Sequence, residues 1–307
     1  MKIAIVGAGA MGSLFGGRLA QACADVVLYD VYREHVEAVR SGGLAIEDAA
    51  TGEVTTCRPG ASTDPADCRG AEVLVVFVKS TATEDAARTF RDIAGSSTIA
   101  VTLQNGLGNE SILRRHFGAG RTAAGVTSQG ATFLGPGKIR HAGKGPTHLG
   151  MADGRNEKLG AFARLLTEAG FETHLEADVA SLVWSKLVIN VGINALTAIT
   201  GQVNGWLVES EETRAVMADL VGEAVSVARA RGIPLSYDDP ISVVFDVARK
   251  TGANRSSMLQ DFDRRRPSEI EVMNGAIVRE AVKAGIPAPV NATITRVIRA
   301  MERAWGA

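Results

Sequence analysis

The chain has 307 residues, 46% apolar and 22% charged, with 33 Lys and Arg against 34 Asp and Glu. That length leaves room for two domains of unequal size, each with its own core. The near balance of charge excludes a bulk electrostatic attraction to nucleic acid or to a membrane surface.

Met1-Lys2 leads straight into IAIVG, without the long apolar stretch and cleavage site of an export signal, so a cytoplasmic location is expected. GAGAMG, residues 7–12, follows this first strand and opens a helix placed from Ser13. That is the context in which G-x-G-x-x-G binds a dinucleotide. Gly7 serves the tight turn, Gly9 the approach of the backbone to a pyrophosphate and Gly12 close helix packing, with Ala8, Ala10 and Met11 completing the loop. VVLYD is the next strand and ends on Asp30, placed either for a ribose hydroxyl or as an ordinary surface acid.

GLAIEDAATGEVTTC reads as a hairpin around Thr51-Gly52. VLVVFV, residues 73–78, is the longest uninterrupted apolar run; it is too short for a bilayer and fits a buried strand closed by Lys79. STIAVTL then leads into LQNG and Asn105. Open α/β sheets bind ligands at the C-terminal strand edge, so Lys79 and Asn105 can reach ribose, nicotinamide carboxamide or substrate. A solvated lysine and a plain Asn-Gly turn are the ordinary alternatives. GATFLGPGKIRHAG reads as a second hairpin around Gly135-Pro136-Gly137, and both hairpins are taken as decorations of one core sheet. The alternation of strands and helices predicts a parallel, doubly wound sheet.

From about Asp178 helical patterns replace strands. The fold class expected is α/β, with a Rossmann-type dinucleotide-binding domain over 1–177 and an all-helical substrate and catalytic domain over 178–307. VWSKLVINVGINALTAITG, residues 183–201, is an apolar helix on which Lys186, Asn190 and Asn194 recur at i, i+4, i+8. They form a narrow polar stripe, one amine and two amides, suited to a pocket that hydrogen-bonds a ligand. Ser268 and Glu271 predict a capping box for a helix running to about Lys283, ended by Gly285 and Pro287. Cys23, Cys57 and Cys68 lack C-x-x-C spacing and read as reduced thiols. Histidines 35, 116, 141, 148 and 174 form no ligand motif, so no metal is expected.

GAGAMG, VFVKS, QNG, WSKLVINVGINALTAITG and NRSSMLQDFDRRRPSEIEVMNG occur in the order seen in the ketopantoate reductase (2-dehydropantoate 2-reductase) family, which the chain resembles over nearly its whole length. The lysine-asparagine helix and SSMLQD carry the resemblance more specifically than the glycine loop. It implies a two-domain enzyme with its active site in a cleft, reducing a 2-oxo acid to a 2-hydroxy acid with a nicotinamide cofactor. Its substrate would be 2-dehydropantoate, in pantothenate synthesis. The resemblance makes Lys186 the general acid and Asn190, Asn194 and Asn204 substrate-binding amides. Ser257, Met258, Leu259 and Gln260 match contacts to the substrate's carboxylate and hydroxyl, and Glu269 matches a glutamate near cofactor and catalytic lysine. Lys79, Asn105 and Ala131 match cofactor-side positions, Asn105 also lying near substrate.

The chemistry has its own logic. Hydride arriving at a ketone carbon leaves an alkoxide, which a lysine ammonium can stabilise and protonate. A closed, partly apolar site would lower the pKa of Lys186 and Glu269 would raise it again. In NADPH-dependent members of the resembled family a basic residue after the second strand meets the 2′-phosphate, whereas this chain has Asp30 followed by Val31. NAD(H) is therefore expected over NADP(H), with Arg33 as the counter-indication. Two alternatives remain at this level: a dehydrogenase of the same family for other branched or aromatic 2-hydroxy acids, and a non-catalytic dinucleotide sensor. Lys186 and Glu269 weigh against the sensor. The helical half could also supply a homodimer surface.

Overall fold

The computed structural model describes residues 1–22, 24–151 and 156–306. The chain divides into two compact units, Met1–Gln104 with Asn109–Val179, and Asn105–Gly108 with Ala180–Ala307. The turn 105–108 thus belongs to the helical unit although it lies deep in the first half of the sequence.

The first unit contains β1 (Lys2–Val6), α1 (Ala10–Gln21), β2 (Asp25–Tyr29), α2 (Arg33–Gly42), β3 (Leu44–Asp48), β4 (Val54–Cys57), β5 (Gly60–Ser62) and β6 (Val73–Val76). It continues with α3 (Thr83–Arg91), β7 (Ile99–Thr102), α4 (Asn109–Phe117), β8 (Thr122–Thr127), β9 (Gly130–Gly135), β10 (Lys138–Gly143), β11 (Thr147–Gly150), α5 (Glu157–Glu168) and β12 (Thr173–Glu176). The main sheet has the order β12-β11-β8-β7-β6-β1-β2-β5. From β5 to β8 every pairing is parallel, while β11 runs antiparallel to β8 and β12 follows β11. This is the expected Rossmann-type sheet. Its strands are apolar on both sides because each face is covered: Ile3, Ile5, Val73 and Val75 enter one core, Ala4, Val6, Leu74 and Val76 the other.

The two hairpins differ from expectation. They form their own sheet, β4-β3-β10-β9, joined by parallel pairing of β3 with β10. Helix α1 explains why. A side chain at Gly16 would collide with Leu28 of the main sheet, and one at Gly17 would lie 2.8 Å from Cys57 and 2.9 Å from Ile46 of the small one. The adjacent glycines keep α1 thin where both sheets press on it. The helix also begins at Ala10, a turn earlier than Ser13. Cys57 and Cys68 are buried free thiols whose pKa burial pushes up to about 11; Cys23 lies outside the described residues.

The second unit is helical, with α6 (Val179–Thr200), α7 (Glu211–Ala230), α8 (Pro240–Lys250), α9 (Ser257–Asp263), α10 (Asn274–Ala284) and α11 (Pro289–Arg303). No strand occurs among the described residues after Glu176. By length and composition α6 could cross a membrane, yet its apolar faces lie inside the unit, where Leu187, Val188, Val191 and Ile193 are at most 3% exposed.

The capping box at Ser268 does not form. Ser268 accepts from the Ile270 N–H at 3.3 Å, but its own N–H donates to Glu302 at 2.8 Å, and Glu271 pairs with Arg299 and Arg279. A short 3-10 turn, Ile270–Val272, intervenes before α10, which ends as expected on left-handed Gly285, φ +68°.

Candidate functional site

β1 has β2 on one side and β6 on the other, so the glycine loop leaves the sheet at the point where strand order reverses. Ligands bind such sheets there. Gly7 has φ +99°, and a side chain on it would lie 2.6 Å from Val78 N. One on Gly12 would strike the Gly7 carbonyl, whereas one on Gly9 would meet nothing within 4 Å. The loop is therefore packed tightly behind and open at Gly9, at the N-terminal cap of α1, which fits a diphosphate cradle.

Asp30 is more than a surface acid. Its carboxylate accepts from the Ala8 N–H at 2.7 Å and from the Tyr32 N–H at 2.8 Å, tying the glycine loop to the turn after β2. Each carboxylate oxygen has a second lone pair, so a ribose hydroxyl can still donate to it. Beside it Val31 is 82% exposed, and Arg33 is exposed at the start of α2. Lys79 lies three residues beyond the end of β6, not on it, exposed ahead of the 3-10 turn Ser80–Ala82. Gln104 fixes that turn by donating to Val78 O at 2.7 Å and Thr83 Oγ1 at 2.8 Å. Ala131, in β9, packs its methyl on the core, which leaves its backbone for any ligand contact.

In the second unit α6 carries the stripe. Burial pushes the Lys186 amine down to about 8, with the Glu269 carboxylate opposing the shift. Glu269 is itself buried. The turn of α6 ahead of Lys186 is anchored at Ser185, whose hydroxyl accepts from Ser236 N–H at 2.8 Å and whose carbonyl accepts from the Tyr237 hydroxyl at 2.7 Å. Asn190 is half-buried and Asn194 buried. The Asn194 amide donates to Met273 Sδ at 3.5 Å, a weak acceptor that a ligand oxygen would surpass.

Ser256, not Ser257, caps α9: its hydroxyl accepts from Leu259 N–H at 3.1 Å and lies 2.7 Å from Thr197 Oγ1 on α6. Ser257 is half-buried next to it, and Gln260 donates to Arg255 O at 3.0 Å. Met258 and Leu259 bury their side chains, at 1% and 2% exposure, so only their backbone can face a ligand. Asn204 donates to Thr251 Oγ1 at 2.9 Å, and its buried Oδ1 has no hydrogen-bond partner in the protein.

Asn105 reaches this unit through its turn. Leu107 N–H donates to Val272 O at 2.8 Å, and Gly106, φ +83°, leaves no room for a side chain against the same carbonyl. The Asn105 turn is thereby docked on the 3-10 turn that begins one residue after Glu269. Sequence reasoning singled out Asn105 and Glu269 but missed Gly106, whose φ > 0 tendency in Asn-Gly was the available signal. The unit thus holds a lysine amine drawn down to about 8 by burial, beside a buried carboxylate, with several amides on the same scaffold. Such a set can bind an oxygen-rich anion and hand it a proton.

Comparison with known proteins identifies the relatives of the chain. The profile described as ketopantoate reductase PanE/ApbA matches residues 3–154, and that of its C-terminal part matches 178–302. The 2-dehydropantoate 2-reductase of Halobacterium salinarum is 38% identical over 306 residues, 99% of each chain. A crystal structure of a PanE/ApbA family ketopantoate reductase from Ralstonia eutropha superimposes with a TM-score of 0.92 at 34% identity, covering 100% of both chains. The ternary structure of D-mandelate dehydrogenase with NADH and anilino(oxo)acetate gives 0.91 at 26% identity, also over 100% of both. With both profiles spanning the two units and a full-length relative above a third identical, the chain belongs to the ketopantoate reductase family.

Proposed function

We propose that the chain reduces 2-dehydropantoate to pantoate, with Lys186 as general acid. The observation that carries the reading is the Lys186 amine, drawn down to about 8 beside Glu269 and aligned on α6 with Asn190 and Asn194. A bound nicotinamide cofactor supplies the hydride. Lys186 donates a hydrogen bond to the oxygen on which negative charge develops and gives it the proton. Glu269 keeps enough of the amine protonated for that task. Asn105, Asn190, Asn194 and Asn204, with Ser257 and the backbone of Met258 and Leu259, hold the substrate's carboxylate and hydroxyl, and Gln260 borders them.

Gly7–Gly12 would hold the cofactor diphosphate, and Lys79 and Ala131, on the same unit, would complete its contacts. NADH is the preferred form, because Asp30 accepts from a ribose hydroxyl and repels a 2′-phosphate, and Val31 offers no cation. Arg33 would have to outweigh that carboxylate. The likeness to D-mandelate dehydrogenase bound to NADH supports the same preference and keeps aromatic 2-oxo acids as the second reading. The enzyme is read as cytoplasmic, and sizing of the purified chain tests the expected homodimer.

The deciding experiment measures kcat/KM for 2-dehydropantoate and for a panel of branched and aromatic 2-oxo acids, each with NADH and NADPH. Highest turnover of 2-dehydropantoate is expected. A preference for an aromatic acid would replace the substrate, and no reduction of any 2-oxo acid would overturn the reading.

A further inference from the structure

His35 is one of the most enclosed polar side chains in the protein. It is 1% exposed, it lies on α2, and the mechanism above does not use it. Its imidazole stands between two pieces of the first unit. Gly137 N–H, in the turn between β9 and β10, donates to Nδ1 at 3.0 Å. On the other side Nε2 lies 3.0 Å from Ser13 Oγ, and the fully buried Ser13 hydroxyl donates to Ala8 O at 2.8 Å.

The donors fix the protonation. Ser13 has one proton, given to Ala8, and Nδ1 is already an acceptor, so Nε2 carries the hydrogen and donates to Ser13. The result is a directed chain from Gly137 through His35 and Ser13 into the glycine loop. It ends on a residue already held from the other side, because the Ala8 N–H donates to Asp30. Ala8 is gripped at both its N–H and its C=O, next to Gly9, where the loop is open. We infer that Ser13 and His35 are positioning residues for cofactor binding, clamping Ala8 so that the glycine loop is preorganised for the diphosphate. The inference rests on the nicotinamide-cofactor reading.

A clamp of this kind has a pH signature that plain packing lacks. Protonated His35 would turn a second N–H toward Gly137 N–H at 3.0 Å, breaking the first link. Burial lowers the His35 pKa, and Asp30 is the charged group that opposes the shift, while the ring of Phe133 walls the imidazole at 5.1 Å. The folded pKa therefore lies below that of the unfolded chain. The contribution is present above the ordinary histidine range and is lost as pH falls through the folded value.

The test is fluorescence titration of NADH, without substrate, across acid and neutral pH, on wild type, Ser13→Ala and His35→Gln, with thermal melts of each. Ser13→Ala is expected to weaken NADH binding about five- to tenfold, the scale of one buried hydrogen bond, with a larger effect on cofactor KM than on kcat. His35→Gln keeps an amide donor toward Ser13 but does not titrate, so it should bind well at neutral pH and lose the acid-side weakening of wild type. Folded Ser13→Ala with wild-type affinity overturns the inference, as does His35→Gln that keeps the acid-side weakening. If Ser13→Ala melts below the assay temperature, the His35→Gln profile decides alone. Wild type that binds neither NADH nor NADPH would instead overturn the cofactor reading, and the inference with it.

Discussion

The pH dependence of the reaction should be written in the pair Lys186 and Glu269. Lowering the amine from 10.5 to about 8 means that its surroundings favour the neutral form by about 3 kcal/mol relative to a solvated lysine. Near pH 9 about one molecule in ten would then keep the proton, whereas a solvated lysine would keep it in nearly all. In the reductive direction kcat/KM is expected to be level at neutral pH and to fall about tenfold per unit above about 8. Oxidation of the product, which needs the free amine as base, should rise over the same interval. Glu269→Gln removes the charge that raises the amine, so its inflection moves to lower pH and turnover at mildly alkaline pH drops. Lys186→Met should abolish the inflection and cost about two to four orders of magnitude in kcat. The assay follows nicotinamide absorbance at saturating cofactor between about pH 6 and 10. A wild-type profile level to about pH 10, or a Glu269→Gln inflection displaced upward, refutes the reasoning.

Asn190→Ala and Asn194→Ala are expected to raise KM more than they lower kcat, since amides that grip the substrate throughout contribute to ground and transition states alike; unchanged KM for every active 2-oxo acid would make the stripe structural. For cofactor choice, Asp30 should stay in place, because its removal would also release Ala8 and Tyr32. Val31→Arg alone adds a cation at an exposed position and should move kcat/KM about fivefold or more toward NADPH, and a wild-type enzyme that already prefers NADPH would sink the reading of Asp30. Gly106→Ala forces a side chain against the Val272 carbonyl at φ +83° and should lower stability by roughly 2 kcal/mol or more while raising substrate KM; a melting temperature equal to wild type contradicts the docking of that turn.

Patterns confined to one element were legible in the sequence. The glycine loop is a spacing that follows an apolar strand, and the Lys186 stripe is a helical period; the expected strand, loop and helices form there because neighbours in sequence produce them. What escaped depends on partners far along the chain. The capping box failed because Arg299, 28 residues on, recruits Glu271. His35 passed for one histidine among five because its acceptor role is set by Gly137, 102 residues away. β8, β11 and β12 were missed because TAAGVT, THLG and THLE carry small or polar residues in runs of at most six. Such strands owe their pairing to the sheet already beside them and give little propensity of their own.

The placement of Asn105–Gly108 has a consequence for anyone recombining this architecture. The helical unit is discontinuous in sequence: four of its residues are encoded some seventy-five positions upstream of its helices. A chimaera that keeps these helices but imports a foreign nucleotide-binding half would exchange Asn105 without touching any helix. Grafts should travel with the Asn105–Gly108 tetrapeptide, and Val272, whose carbonyl receives the Leu107 N–H, should be matched to it. For engineering, the module to move is the helices plus that loop.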